Sequence, residues 1–177
     1  ATGAIYPIAA AGKALTFRQF ARGAAPAQVV AASTQSSLAT LPAMIDAAQE
    51  SFRLPTGIVG LVLPLAVSLF RVSTAVANLA AAIFVAALYG VALSPVQLAT
   101  GALVSFATSI GSVGVSSQVS YFFGVMPICL AMGLPVEVLA LLLAVEVLPD
   151  IFRTICNVTA DLAVTVLLGR ERRAAAR

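Results

Sequence analysis

Long apolar stretches alternate with short polar ones along the chain. Two apolar stretches, residues 57–90 and 136–169, exceed the roughly 20 residues that cross the hydrocarbon core of a membrane. Two others, residues 27–50 and 95–133, are interrupted in the middle by serine- and glycine-rich sequence. Each half is too short to cross, so each stretch is predicted to be a re-entrant helical hairpin. A single kinked polar helix is the alternative for residues 27–50.

The order of hairpin followed by long helix occurs twice. The first long helix has a polar centre containing Arg71, Ser73 and Thr74, which predicts a break near Arg71. Repeats of opposite orientation with interrupted helices are typical of secondary transporters. The predicted fold is therefore an all-α membrane protein of two inverted units, each a re-entrant hairpin plus a long, partly broken transmembrane helix.

Basic residues indicate the topology. Apart from Arg71 and Arg153, which lie in apolar segments, they form three groups, in residues 1–26, at Arg53 and in residues 170–177. The positive-inside rule places all three groups on the cytoplasmic side. We expect residues 1–26 to be the end of a preceding membrane helix and a basic connector that starts a new helix at Pro26. Residues 170–177 are expected to be a cytoplasmic tail. The predicted location is an inner or plasma membrane that the chain crosses more than once, and the chain is expected to be a fragment.

Composition narrows the function classes. The chain is 60% hydrophobic and 10% charged, with a mean hydropathy of +1.03, far from the quarter charged of soluble domains. A net charge of +3 without an aromatic platform does not indicate nucleic-acid binding. With no histidine, two cysteines and a single lysine, Lys13, neither a zinc site nor an intramembrane hydrolase is expected.

One face of the last long helix is polar. At about 100° per residue, five of six polar side chains share this face and the sixth, Thr154, lies at its edge. The six are Glu146, Asp150, Arg153, Thr154, Asn157 and Asp161. A charge facing lipid costs about 2.5–3.5 kcal/mol, so the face is expected to line a polar site inside protein. Structural ion pairs, such as Arg153 with Asp150 or Glu146, are the alternative; the two interpretations are compatible because Arg153 can pair with an acid while a site is empty.

One string resembles the final-helix motif of the dicarboxylate/amino acid:cation symporters, the family of glutamate and aspartate transporters: DIFRTICNVTAD, residues 150–161. The strings of residues 33–42, STQSSLATLP, and 109–117, SIGSVGVSS, are similar to the family's hairpin tips. The resemblance covers residues 28–169. It implies symport of acidic amino acids or C4-dicarboxylates by an elevator-like motion, with preceding scaffold helices, lipid and a homotrimer as partners. It implies no cofactor beyond a coupling ion, H⁺ or Na⁺.

The resemblance also implies a role for each polar residue. Asp150 would receive the substrate's amino group, and Arg153 would pair with its side-chain carboxylate. Thr154 would hydrogen-bond that same end, Asn157 would bind the backbone carboxylate, and Asp161 would be a cation ligand. The other substrate-binding candidates lie at the hairpin tips and in the broken helix: Ser36, Ser37, Val115 and Thr74.

The broken helix departs from the family. Where sodium-coupled members have Asn-Met-Asp-Gly-Thr, this chain has the sequence FRVST at 70–74. Arg71 brings a fixed positive charge, paired with Asp161 or Glu146, or else faces another helix. This predicts transport without sodium, by proton coupling, exchange or facilitated flux, or a degenerate receptor that binds without transport. Glu146 and Asp150 are candidate proton carriers, and Asp161 and Asn157 are the candidate ligands if sodium binds.

Overall fold

The computed structural model describes residues 16–111 and 118–175, and within these ranges the chain is helical with no β-strand. The helices are α1 (Phe17–Thr34), α2 (Ser37–Asp46), α3 (Thr56–Leu69), α4 (Val72–Leu88), α5 (Pro95–Gly111), α6 (Gln118–Ala131), α7 (Leu139–Leu143) and α8 (Val147–Ala175). A π-helical turn, Ala47–Ser51, follows α2. The all-α prediction is confirmed.

Helices α1 and α2 are joined by two residues and pack against each other. Gln35 ends α1 with a φ of 51°, and the Ser36 side chain caps α2 by accepting from the Ala39 N–H at 3.2 Å. Helix α1 begins at Phe17, earlier than the start predicted at Pro26, and it runs through that proline. The proline is tolerated because it and Arg22, whose carbonyl loses its helical partner, are both exposed.

The first long helix is broken where the sequence predicted. Helix α3 ends at Leu69, and Phe70 and Arg71 leave helical geometry with ψ angles of 61° and 52° before α4 begins. In the described part of the chain, two helical stretches are long and apolar enough to cross a membrane, Thr56–Leu88 and Val147–Gly169.

Helices α5 and α6 also pack against each other. The start of α5 is held by reciprocal hydrogen bonds between Ser94 and Gln97, at 3.3 Å from the Gln97 N–H and 3.0 Å from the Ser94 N–H. The predicted tip between these helices falls largely on residues 112–117, including Val115, which lie outside the described residues.

The last helix differs from the single helix predicted for residues 136–169. It is divided into α7 and α8 by turns at residues 144–146. Pro149 explains the division, since its missing N–H would break a continuous helix but is tolerated in the first turn of a new one. Glu146 therefore immediately precedes α8, and Asp150 lies in its first turn.

The apolar side chains form two separate clusters. The first joins α1, α2 and α3 to the C-terminal half of α8 and includes Phe20, Leu63 and Leu162. The second joins α4 and α6 to α7 and includes Val85 and Ile128. The division falls at the break in the long helix, and there α4 contacts the N-terminal half of α8, which carries the polar face.

Candidate functional site

The guanidinium of Arg153 is the centre of a buried hydrogen-bond network. Its side chain is 9% exposed. Its Nε donates to Asp150 Oδ1 at 3.1 Å, and its Nη2 donates to the same oxygen at 2.7 Å and also to Glu146 Oε1. Its Nη1 donates to Asn78 Oδ1 of α4 at 3.2 Å. Asp150 lies three residues before Arg153 on α8. Glu146 immediately precedes the helix, and its carbonyl accepts from the Asp150 N–H at 2.9 Å, which holds its carboxylate on the same side.

The predicted ion pairs of Arg153 with Asp150 and Glu146 are therefore confirmed. The pairing uses only one of the two oxygens of the Asp150 carboxylate. Asp150 Oδ2 is buried and has no hydrogen-bond partner among the described residues. A buried carboxylate oxygen without a donor is costly, so this position favours a ligand that brings an N–H group.

Asn157 ties the start of α4 to α8. Its Oδ1 accepts from the Ser73 N–H at 3.2 Å and lies 2.7 Å from Ser73 Oγ. The same hydroxyl lies 2.9 Å from the Arg153 carbonyl oxygen, so its one proton is shared between two acceptors. The Asn157 Nδ2 donates to Thr74 Oγ1 at 3.1 Å. The Asn157 carbonyl is thus already committed to Ser73, while its amide retains a second N–H.

Asp161 lies two turns further along α8 and is 1% exposed. Its Oδ1 has no hydrogen-bond partner among the described residues. Arg71 attracts the Asp161 carboxylate electrostatically. Arg71 also interacts with Asp150 and is repelled by Arg153. The break between α3 and α4 therefore brings a second guanidinium to the polar face.

The structure brings together most, but not all, of the predicted site residues. Linked by hydrogen bonds or electrostatic interaction are Glu146, Asp150, Arg153, Asn157, Thr74, Arg71 and Asp161. Thr154 is buried on α8, 4% exposed. Ser36 and Ser37 lie at the junction of α1 and α2, and both of these helices pack on α8.

Two residues of the network were not among the predicted site residues, Ser73 and Asn78. Both were visible as polar residues in the apolar sequence of the broken helix. Asn78 is only 3% exposed, and it follows Thr74 by one helical turn. An amide residue in an apolar stretch, one helical turn after Thr74, is the signal in the sequence, because an amide that is buried needs a hydrogen-bond partner.

Comparison with known proteins identifies the family and relatives of the chain. The profile of the Sodium:dicarboxylate symporter family matches residues 1–171. The chain is 36% identical to mouse excitatory amino acid transporter 3 over 143 residues, which is 81% of this chain and 27% of the relative. It is 35% identical over 142 residues to an excitatory amino acid transporter of Caenorhabditis elegans, 80% of this chain and 28% of the relative. It is 33% identical over 142 residues to human excitatory amino acid transporter 2, 80% of this chain and 24% of the relative.

The chain therefore spans about a quarter of the length of the curated relatives it matches. The family is one of membrane transporters and not of enzymes, as the sequence predicted. A match over nearly the whole chain establishes that the protein belongs to the Sodium:dicarboxylate symporter family.

Proposed function

We propose that this chain is the substrate-binding part of a secondary active transporter for acidic amino acids or C4-dicarboxylates. One observation carries the proposal: a buried guanidinium, Arg153, lies beside a buried carboxylate oxygen, Asp150 Oδ2, that receives no hydrogen bond from the part of the chain that the structure describes. A ligand with both a carboxylate and an ammonium group complements this pair. Relatives of the chain are named excitatory amino acid transporters, which supports the same ligand class.

The ligand would lie along α8 in a defined direction. Its side-chain carboxylate would bind Arg153 and Thr154, and its ammonium group would bind Asp150 Oδ2. Its backbone carboxylate would accept from the second N–H of Asn157. The predicted tip residues Ser36, Ser37 and Val115 would close over it, with Thr74 holding Asn157 in place. A C4-dicarboxylate lacks the ammonium group, so this arrangement favours an acidic amino acid of the two classes.

We propose that substrate binding does not require sodium. Three carboxylates, Glu146, Asp150 and Asp161, share the polar face with two guanidiniums, and Arg71 supplies near Asp161 a cation that cannot dissociate. The second candidate sodium ligand, Asn157, has its oxygen engaged by Ser73. An incoming acidic substrate adds negative charge to this face, which favours a proton as the coupling ion, with Glu146 as its carrier.

The proposed architecture follows the sequence. Residues 27–50 and 95–133 would be re-entrant hairpins, residues 57–90 and 136–169 would cross the membrane in inverted orientation, and residues 170–177 would be cytoplasmic. The paired helices α1 with α2 and α5 with α6, and the break at Phe70 and Arg71, support this division. Scaffold helices outside this chain, surrounding lipid and a homotrimeric assembly would complete an elevator-type transporter.

A receptor or uncoupled exchanger of the same fold is the second candidate. It is favoured by the engagement of Arg153 with two internal acids, which a substrate carboxylate must share or displace. Binding of labelled substrate without accumulation in proteoliposomes would identify a receptor.

The test is uptake of labelled aspartate and succinate by the full-length protein in proteoliposomes, with sodium and proton gradients varied separately. We expect uptake that is unchanged when sodium is replaced by choline. Arg153→Thr should lower it roughly 100-fold, because charge-assisted hydrogen bonds are lost. Arg22→Thr, at an exposed position on α1, is the matched control and should leave uptake unchanged. Acidic uptake that survives Arg153→Thr contradicts the site, and uptake that collapses without sodium contradicts the coupling.

A further inference from the structure

The hydrogen bonds of Arg153 leave one donor for a ligand. A guanidinium has five N–H donors, and Arg153 makes four hydrogen bonds with residues 16–111 and 118–175, to Glu146, to Asn78 and twice to Asp150. The bonds to the two acids occupy Nε and Nη2, and Asn78 takes one N–H of Nη1. The remaining N–H is therefore on Nη1, the nitrogen that Asn78 holds.

Asn78 is held from its other side by α6. A Cβ added to Gly124 would collide with Asn78 Nδ2 and lie 3.3 Å from its Cγ. Any side chain at position 124 must therefore move this amide. The amide is 3% exposed, which leaves it little room to move elsewhere.

We propose that Asn78 is a positioning residue that orients the second N–H of Arg153 Nη1 toward the acidic end of the substrate. Gly124 leaves the space in which the Asn78 amide lies. The inference rests on the proposed function. Asn78 suits this role because it is neutral. Its Oδ1 accepts from the guanidinium without adding a charge beside Arg153.

The matched pair of glycines on the second hairpin supplies the test. Gly124→Ala crowds Asn78, whereas Gly101→Ala crowds Met132, a flexible side chain, and lies 3.2 Å from Leu79 of the same helix α4. Binding of aspartate and of asparagine, which lacks the second carboxylate, is measured on the purified full-length protein for both variants and for Asn78→Leu. Thermal unfolding is followed in parallel.

We expect Asn78→Leu to weaken aspartate binding roughly tenfold or more while asparagine binding changes little, since only the acidic end uses the oriented donor. Gly124→Ala should shift the aspartate-to-asparagine ratio in the same direction, and Gly101→Ala should leave it unchanged. The double variant of Asn78→Leu with Gly124→Ala should lose no more than Asn78→Leu alone, because both act through one hydrogen bond.

An unchanged ratio in Asn78→Leu, an equal shift in both glycine variants, or additive losses in the double variant would each overturn the inference. If wild-type protein and Arg153→Thr bind aspartate equally, or neither binds it, the proposed function itself fails. In that case the contact between Asn78 and Arg153 is tested by the thermal unfolding of Asn78→Leu, Arg153→Thr and the double variant. Additive effects there would sink the inference separately.

Discussion

The two ends of the polar face on α8 are held in different ways. At the Arg153 end, one guanidinium directly bonds two carboxylates and an amide. At the Asp161 end, a carboxylate that is 1% exposed has an oxygen without a hydrogen-bond partner among the described residues. There the electrostatic attraction of Arg71 offsets only part of the cost of burying the charge.

The difference indicates that the two ends have different roles, substrate selectivity at the Arg153 end and charge compensation at the Asp161 end. The Arg153 end has directional donors and acceptors, which distinguish ligands by the placement of their groups. At the Asp161 end, Oδ1 has no hydrogen-bond partner among the described residues, and the attraction of Arg71 depends mainly on distance. We therefore expect the first end to decide which substrate binds and the second to decide whether a free cation is needed.

The largest expected effect is at the Arg153 end. Arg153→Leu leaves Glu146 and Asp150 buried without their cation, and removal of one member of a buried ion pair costs about 3–5 kcal/mol. Adding Glu146→Leu and Asp150→Leu should restore much of that loss, because the uncompensated charges are gone. The measurement is thermal and denaturant unfolding in detergent. A triple variant that is no more stable than Arg153→Leu would show that the acids are not the cause.

A smaller effect is expected at the Asp161 end. Arg71→Leu removes an attraction rather than a direct bond to Asp161, so we expect a loss of about 1–3 kcal/mol. The same variant should also acquire sodium dependence, because a bound cation would replace the missing charge. Aspartate binding with sodium or choline tests this. Arg71→Leu combined with Asp161→Asn is the control and should bind independently of sodium.

The opposite order of stability losses would reverse the comparison between the two ends. If Arg71→Leu destabilises the protein more than Arg153→Leu, then the charge near Asp161 and not the bonded network holds α4 against α8. If Arg71→Leu binds aspartate equally in sodium and in choline, Arg71 does not substitute for a cation.

The sequence predicted the features that depend on local spacing. The shared face of Glu146, Asp150 and Arg153 follows from the helical period, and the break near Arg71 follows from polar residues inside an apolar stretch too long for one crossing. Both are properties of neighbours in the chain, so the pattern of residues suffices.

Features that depend on packing between distant segments were not predicted. Asn78 and Arg153 are separated by 75 residues, and their contact requires α4 to lie against α8. Gly124 matters because a Cβ at this position would collide with Asn78, which the sequence alone does not show. The start of α8 is a different case, because Pro149 is a local signal in the sequence that a continuous helix ends before it.

The smallest expected effect lies between the two ends, at Ser73. Ser73→Ala removes the hydroxyl that lies 2.7 Å from Asn157 Oδ1 but keeps the backbone N–H bond to the same oxygen, so we expect a loss of about 1 kcal/mol. Ser68→Ala is the matched control on α3. Its exposed hydroxyl donates to the Pro64 carbonyl of its own helix, at 2.8 Å, so its loss should stay within about 0.5 kcal/mol.

Unfolding in detergent measures both serine variants, and aspartate binding adds the functional consequence. Because Ser73 fixes the Asn157 amide, its loss should also weaken aspartate binding, by an amount smaller than Asn78→Leu produces. Asn157 serves the backbone carboxylate in our proposal, so asparagine binding should weaken equally. Ser73→Ala should therefore leave the aspartate-to-asparagine ratio unchanged, whereas Asn78→Leu should shift it. A loss of aspartate binding alone in Ser73→Ala would mean that Asn157 binds the acidic end of the substrate instead.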